Sequence, residues 1–156
     1  MEDVLDSFED VARAMMPVED FLFGVRLETE TVGTQVEDET TVDCSMSGMF
    51  FVKPKLASFR LVMSVEAEAL TDASVDVATN YAIPAGAIFS KKAFFEFANS
   101  VAGPHMRSYA QQILDGLLTQ MKLPARILPP LGLFDGGPFK SDNAPDLISA
   151  DNYGKQ

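Results

Sequence analysis

Cysteine and histidine each occur once in these 156 residues, and tryptophan not at all. A lone Cys44 excludes an intrachain disulfide, and its place in an alternating apolar segment reads as a small core residue. One imidazole, His105, and one distant thiol leave little material for a metal cage or a nucleophile–base pair. His105 follows Pro104 in the first turn of an expected helix. It reads as a surface or interface histidine, with a neutral base as the sharper alternative.

Basic residues are also scarce, 12 against 23 acidic ones, for a formal charge of −11. A polyanion repels phosphates and anionic headgroups, which argues against nucleic acid and membrane surfaces as partners. No apolar run approaches the roughly 18 residues of a membrane span. The opening MEDVLDSFED is acidic where an export signal is basic, so a soluble, cytoplasmic protein is expected. Gly132, Gly136 and Gly137 lack the spacing of a phosphate loop and its following Lys-Ser/Thr. The expectation is therefore no enzyme, no cofactor and no metal.

What the chain has in quantity is apolar: 12 Phe and 8 Met in a composition that is 47% hydrophobic. Gly103 to Pro130 organises it. Met106, Tyr109, Ala110, Ile113, Leu114, Leu117, Leu118 and Met121 recur at helical spacing, Pro104 suits a first turn, and Pro124 stops the run. Before it, Ser90 is an N-cap candidate for KKAFFEFANSV, with Phe94, Phe97, Ala98 and Val101 on one face and Phe95 beside them. A short N-terminal helix is expected from Glu2 to Met16, ended by Pro17. It reads as packed on its own fold or a sister subunit, or as a docking helix for a partner.

Between these helices the period falls to 2. Phe21, Phe23, Val25 and Leu27 alternate with polar neighbours. Val42, Cys44, Met46, Gly48 and Phe50 follow in a second strand. Phe59, Leu61, Met63, Val65 and Ala67 mark a third, Thr71-Asp72-Ala73 a hairpin turn, and Val75, Val77, Thr79, Tyr81 and Ile83 a fourth. The fold class is α+β: a four-stranded antiparallel sheet, apolar on one face, with two C-terminal helices (one long) packed on it and a short N-terminal helix. Residues 1–18 form the N-terminal helix region, 19–134 the α+β domain, and 135–156, rich in Gly, Pro, Asp and Asn, a flexible tail. Glu28, Glu30, Glu66 and Glu68 sit on strands, as a solvated face or a landing site for a basic partner.

The run Ala87-Ile88-Phe89-Ser90, then Gly103-Pro104, Tyr109-Ala110, Leu123-Pro124 and Ile127-Leu128-Pro129-Pro130, resembles the SecB family of export chaperones. In that family four antiparallel strands end in a Gly-Gly/Ala-Ile-Phe segment. A Pro-initiated long helix with a Tyr-Ala and a Leu-x-Pro-Pro run follow. The order of elements matches over roughly Phe21 to Phe134, and the residue-level motifs begin at Ile83. The resemblance implies a cytoplasmic homotetramer, a dimer of dimers with its long helices between two sheets. It implies an ATP-independent holdase whose apolar grooves hold unfolded or precursor proteins, and a SecA motor contacting the acidic outer face of the sheet. The chain departs from the family at Asn80 and Ala82, where the fourth strand carries a Leu-x-Glu contact for SecA. It also lacks the C-terminal apolar-basic helix and adds the N-terminal one. A dedicated chaperone or adaptor for one client, such as an aggregation-prone antitoxin, is the alternative, and a small-ligand pocket between sheet and helices is a third reading.

The apolar surplus nominates Phe50, Phe51, Phe89, Phe94, Phe95, Phe97, Met106, Tyr109 and Met121 as client-binding residues. Gly116 interrupts the long helix at a cost of about 1 kcal/mol against Ala, which suits a close approach by a neighbouring backbone or a tolerated defect. If helices of different subunits cross there, Gly116→Leu splits the oligomer by steric overlap. Light scattering decides: a variant that keeps the native mass rules out that crossing.

Overall fold

The N-terminal segment divides at Ser7. In the computed structural model, which describes residues 3–29, 42–67, 70–120 and 137–153, Val4–Leu5 forms a short strand, β1. Helix α1 (Phe8–Ala14) follows, and Ser7 Oγ accepts from the Asp10 N–H at 3.1 Å. The helix is thus shorter than the Glu2–Met16 expected, because the Ser7 cap fixes its start and residue 16, preceding Pro17, is driven out of the helical region. Val11 is fully buried and Phe8 lies 6.5 Å from Phe97, ring to ring, so α1 packs on its own fold.

Pro17 itself stands inside a strand. β2 (Met16–Thr29) is longer than the alternation from Phe21 suggested. It tolerates proline because it is a sheet edge, with a register shift between Pro17 and Glu19. β3 (Val42–Lys53), β4 (Leu56–Ala67) and β5 (Leu70–Ala82) complete an antiparallel sheet in the order β2-β5-β4-β3. The first strand therefore lies beside the fourth, a Greek-key arrangement of three consecutive hairpin strands and a fourth joined by a longer connection. Ala67 pairs with Leu70, so residues 71–73, expected to turn, belong to β5. This register sets Met63 against Val75 and Val65 against Ala73, all of them buried.

After β5 the chain forms β6 (Ile88–Ser90), which pairs in parallel with β1, and then helix α2 (Lys91–Phe97). Ser90 is the N-cap, its hydroxyl accepting from the Ala93 N–H at 3.3 Å. The expected break at Gly103-Pro104 is replaced by continuous helix. A π-helical turn over Ala98–Ala102 joins α2 to α3 (Gly103–Gln120), with the Gly103 N–H donating to the Ala98 carbonyl. Pro104 therefore does not stand at a free helix start: it directly follows the π-helical turn, where the regular i→i−4 ladder is already interrupted and a missing donor is tolerated.

α3 lies over β4 and β5 with Met106, Ala110 and Leu114 buried and Tyr109 and Ile113 half-buried. Gly116 is exposed, with no atom within 4 Å of where its Cβ would be. The close approach that its presence suggested does not occur among the described residues of this chain.

Chain 137–153 is packed where a loose tail was expected. Leu147–Ile148 forms β7, antiparallel to β6, and a last turn of helix, α4, spans Ala150–Tyr153. Phe139 and Ile148 are buried. Two apolar anchors give this polar segment enough buried surface to offset part of its ordering entropy.

The core centres on Phe59 of β4, which is fully buried with the rings of Phe50, Tyr81, Phe94, Phe97 and Phe139 all within 6.4 Å, centroid to centroid. Phe59→Ala is expected to cost about 3–5 kcal/mol, a transfer loss plus a cavity. Urea unfolding measures it as a lower midpoint at unchanged slope; a loss under 1 kcal/mol would show that the aromatic layer repacks freely.

Candidate functional site

Three groups of residues stand out around the sheet: a cleft at the β3 edge, the exposed strand β2, and the segment 137–148.

The cleft begins at Gly48. It lies on the inner face of β3, between Met46 and Phe50 in the alternation, and leaves a gap there. The Phe139 ring fills that gap so closely that a Cβ on Gly48 would lie 2.9 Å from it. Asn99, in the π-helical turn, fixes the backbone of the same residue. Its Nδ2 donates to the Phe139 carbonyl and its Oδ1 accepts from the Phe139 N–H, both at 2.9 Å. Gly137, two residues earlier, takes φ +76°, and a Cβ there would collide with the Asn99 side-chain amide. From Phe139 the chain runs to β7, where the Lys91 N–H donates to the Asp146 carbonyl at 2.9 Å.

Beneath this span lies a cavity of about 330 Å³, walled by Gly48, Met49, Phe50 and Phe95 and roofed by residues of the segment itself. A second hollow of about 470 Å³ lies on the far side of Phe95, bordered by Lys91, Lys92 and Ser141. An apolar floor with a few polar groups at the rim is the usual composition of a binding cleft.

The nominated aromatic residues divide on this geometry. Phe50 is half-buried at the cleft, 4.8 Å from Phe94 and 5.4 Å from Phe95, ring to ring. Phe95 forms its floor. Phe89, Phe94, Phe97 and Met106 are core residues that hold helices to sheet. Tyr109 is half-buried on α3. Phe51 faces the opposite side of the sheet, with Lys53 Nζ 5.3 Å from its ring centroid. Met121, Glu30 and Glu68 lie outside the described residues. Glu28 and Glu66 hold register positions in β2 and β4, opposite Asp72 and Asp43.

Sequence reading missed Gly48, Asn99 and Phe139. The available signal was a lone Phe inside the polar run GGPFKSDNAP.

Strand β2 carries the other apolar surface. Met16, Val18, Leu22 and Phe23 are 67%, 55%, 46% and 58% exposed, on both faces of one edge strand. On the outer face, Phe21 and Phe23 stand 6.3 Å apart, and the Arg60 guanidinium lies 4.5 Å over the Phe23 ring. Arg60 Nε and Nη2 also donate to the two Asp76 carboxylate oxygens, and this pairing raises the guanidinium pKa further. The outer face is therefore aromatic as well as charged. Asn80 sits on it, opposite Ser58 and Glu19 in the register. His105 Nε2 lies 2.9 Å from Asp20, tying the start of α3 to β2. Among the described residues no group of three His, Cys, Asp or Glu is placed to hold a metal, and no helix is long and apolar enough to cross a membrane.

No protein-family model and no curated protein sequence matches this chain. Nine chains of known structure do. One is the Mycobacterium tuberculosis Rv1957 SecB-like chaperone, solved in complex with a ChAD peptide from the Rv1956 HigA1 antitoxin. It matches over 80% of this chain and 94% of its own, with a TM-score of 0.61 and 12% identity. The likeness is one of architecture, and the architecture of this chain is SecB-like, as the sequence motifs implied.

Tyr81 provides a probe of the layer behind the cleft. Burial pushes its phenol above the usual value near 10, a hydrogen bond with Thr79 lowers it, and the Asp20 carboxylate raises it. The neutral phenol is thus favoured in the fold. That stabilisation is complete below the unfolded value and is lost as pH rises from there through the folded value. Tyr81→Phe is expected to flatten the fall in stability above about pH 10. Urea midpoints for both proteins across pH 9 to 11 check this, and parallel curves would exclude a titrating Tyr81.

Proposed function

We propose that this protein is a non-enzymatic, ATP-independent chaperone that holds unfolded or precursor polypeptides through apolar surfaces. The observation that carries the reading is the apolar cleft at Phe50 and Phe95, already bordered by a polypeptide segment of this chain. It lies in a fold shared with a chaperone solved with a peptide bound. The action is mass-action binding: whatever binds exposed apolar segments lowers the free concentration available for aggregation. Methionine and phenylalanine suit such binding, because the first adapts its shape and the second contributes large apolar area.

The proposed assembly is a homotetramer, a dimer of dimers in the cytoplasm. The exposed apolar edge of β2 and the half-covered residues Tyr109 and Ile113 of α3 support it, since a surface of this kind is normally covered in solution.

A second reading is a dedicated chaperone for one protein. The antitoxin peptide in the similar chaperone favours it, and Asn80 and Ala82, in place of the family's SecA contact, point away from export delivery.

At one chaperone per client, the protein is expected to delay the light scattering of a chemically unfolded, unrelated protein at least severalfold. Failure with unrelated proteins but protection of one co-purifying partner would favour the dedicated reading. Failure with both would overturn the chaperone reading. A pull-down with SecA separates export delivery from client holding.

A further inference from the structure

From the way segment 137–148 is bound, we infer that it is a resident occupant of the polypeptide site. Clients of the same chemistry take its place along Gly48, Asn99 and the edge of β6. This inference rests on the chaperone reading and specifies how its site is recognised and regulated.

Most of the polar contacts along this segment go to its backbone. Asn99 makes two hydrogen bonds to the Phe139 main chain, Lys91 N–H donates to the Asp146 carbonyl, and β6 pairs with Leu147–Ile148 as an added strand. Backbone recognition with strand addition is how a surface accepts peptides of many sequences, with pockets for alternate side chains supplying preference.

The pockets here are two. Phe139 fills the gap over Gly48 and meets Phe59 edge-on at 5.7 Å, and Ile148, nine positions on, is fully buried. Between them Lys140, Asp142, Asn143, Pro145 and Asp146 are exposed, and the cavity of about 330 Å³ under this stretch is not filled by them. The segment is thus anchored at its two ends, and between them a turn closed by the Ala144 N–H on the Ser141 carbonyl seats only Ala144 against the core. A partner with an aromatic residue, a short polar link and an aliphatic residue about nine positions later reproduces both anchors and can insert larger side chains into the cavity.

Such an exchange makes the segment a competitor. A client binds only the fraction of molecules in which the site is free, so its apparent affinity is reduced by that fraction. Weakening the segment then strengthens client binding, the opposite of what losing a structural contact does.

The test uses full-length protein and two variants. Phe139→Ala removes the anchor, and Gly137→Ala drives a Cβ into Asn99 at a left-handed position without removing core volume. The probes are a labelled synthetic peptide of residues 137–150 and reduced, carboxymethylated lactalbumin, which is permanently unfolded. Circular dichroism checks that each variant folds. Both variants are expected to bind the peptide and the lactalbumin about tenfold more tightly than wild type, equivalent to about 1.4 kcal/mol. The two probes are expected to compete, and a peptide carrying Phe139→Ala is expected not to bind.

Lactalbumin bound equally by wild type and variants, without displacing the peptide, would overturn the inference and leave the chaperone reading standing. Weaker binding by folded Gly137→Ala would show that the segment supports the site rather than fills it, and overturns it too. Lactalbumin bound by no form would overturn both.

Discussion

The structure depends on covering one face of one strand. β4 presents Phe59, Leu61, Met63 and Val65 to the same side, and all are buried. A sheet with a single apolar face is stable only if another layer removes that face from water. Helix α3 covers one part, through Met106, Ala110 and Leu114. The Phe94, Phe95 and Phe97 group of α2 and the π-helical turn covers the part around Phe59. The aromatic side chains that looked like a surplus available for partners are largely consumed by this task.

Both chain ends are drawn into the same cover. β1 from the N-terminus and β7 from the C-terminal segment flank β6, so Phe89 is paired with Leu5 on one side and with Ile148 on the other. Strands of two residues have no independent stability; they form because neighbouring side chains, Val11 and Ile148 among them, are already buried against the core. This arrangement places chain 137–148, anchored at Phe139 and Ile148, beside the apolar cleft.

Coverage is uneven across the sheet. β3 is flanked by the C-terminal segment, while β2, at the opposite edge, exposes Met16, Val18, Leu22 and Phe23. An uncovered strand edge is a template for pairing with another chain. Among the described residues the two edges thus differ: one exposes apolar side chains and the other is covered by chain 137–153. Charge follows the same division only in part. The protein is strongly acidic as a whole, while both signs meet around the two hollows, Lys140 with Asp142 at one and Lys91 and Lys92 with Glu96 at the other.

The sequence by itself determined the local elements. Alternation at Phe59 to Val65, the Ser90 cap and helical spacing from Met106 to Leu114 depend on neighbours within a few positions, where steric and hydrogen-bonding rules act directly. From these, the α+β class and the SecB-like order of elements followed. Tertiary structure decided what those elements touch. Nothing local distinguishes the buried Phe94 from the exposed Phe23, because each is an aromatic in an amphipathic pattern and only distant chain covers one and not the other. The placement of β2 beside β5, the joining of α2 and α3 through a π-helical turn, and the docking of Phe139 over Gly48 are likewise decided by which surfaces remain uncovered once the rest has packed. The tail looked loose for that reason. Its polar composition predicts little burial of its own, and two side chains, Phe139 and Ile148, found their positions in a core built by residues far away in the chain.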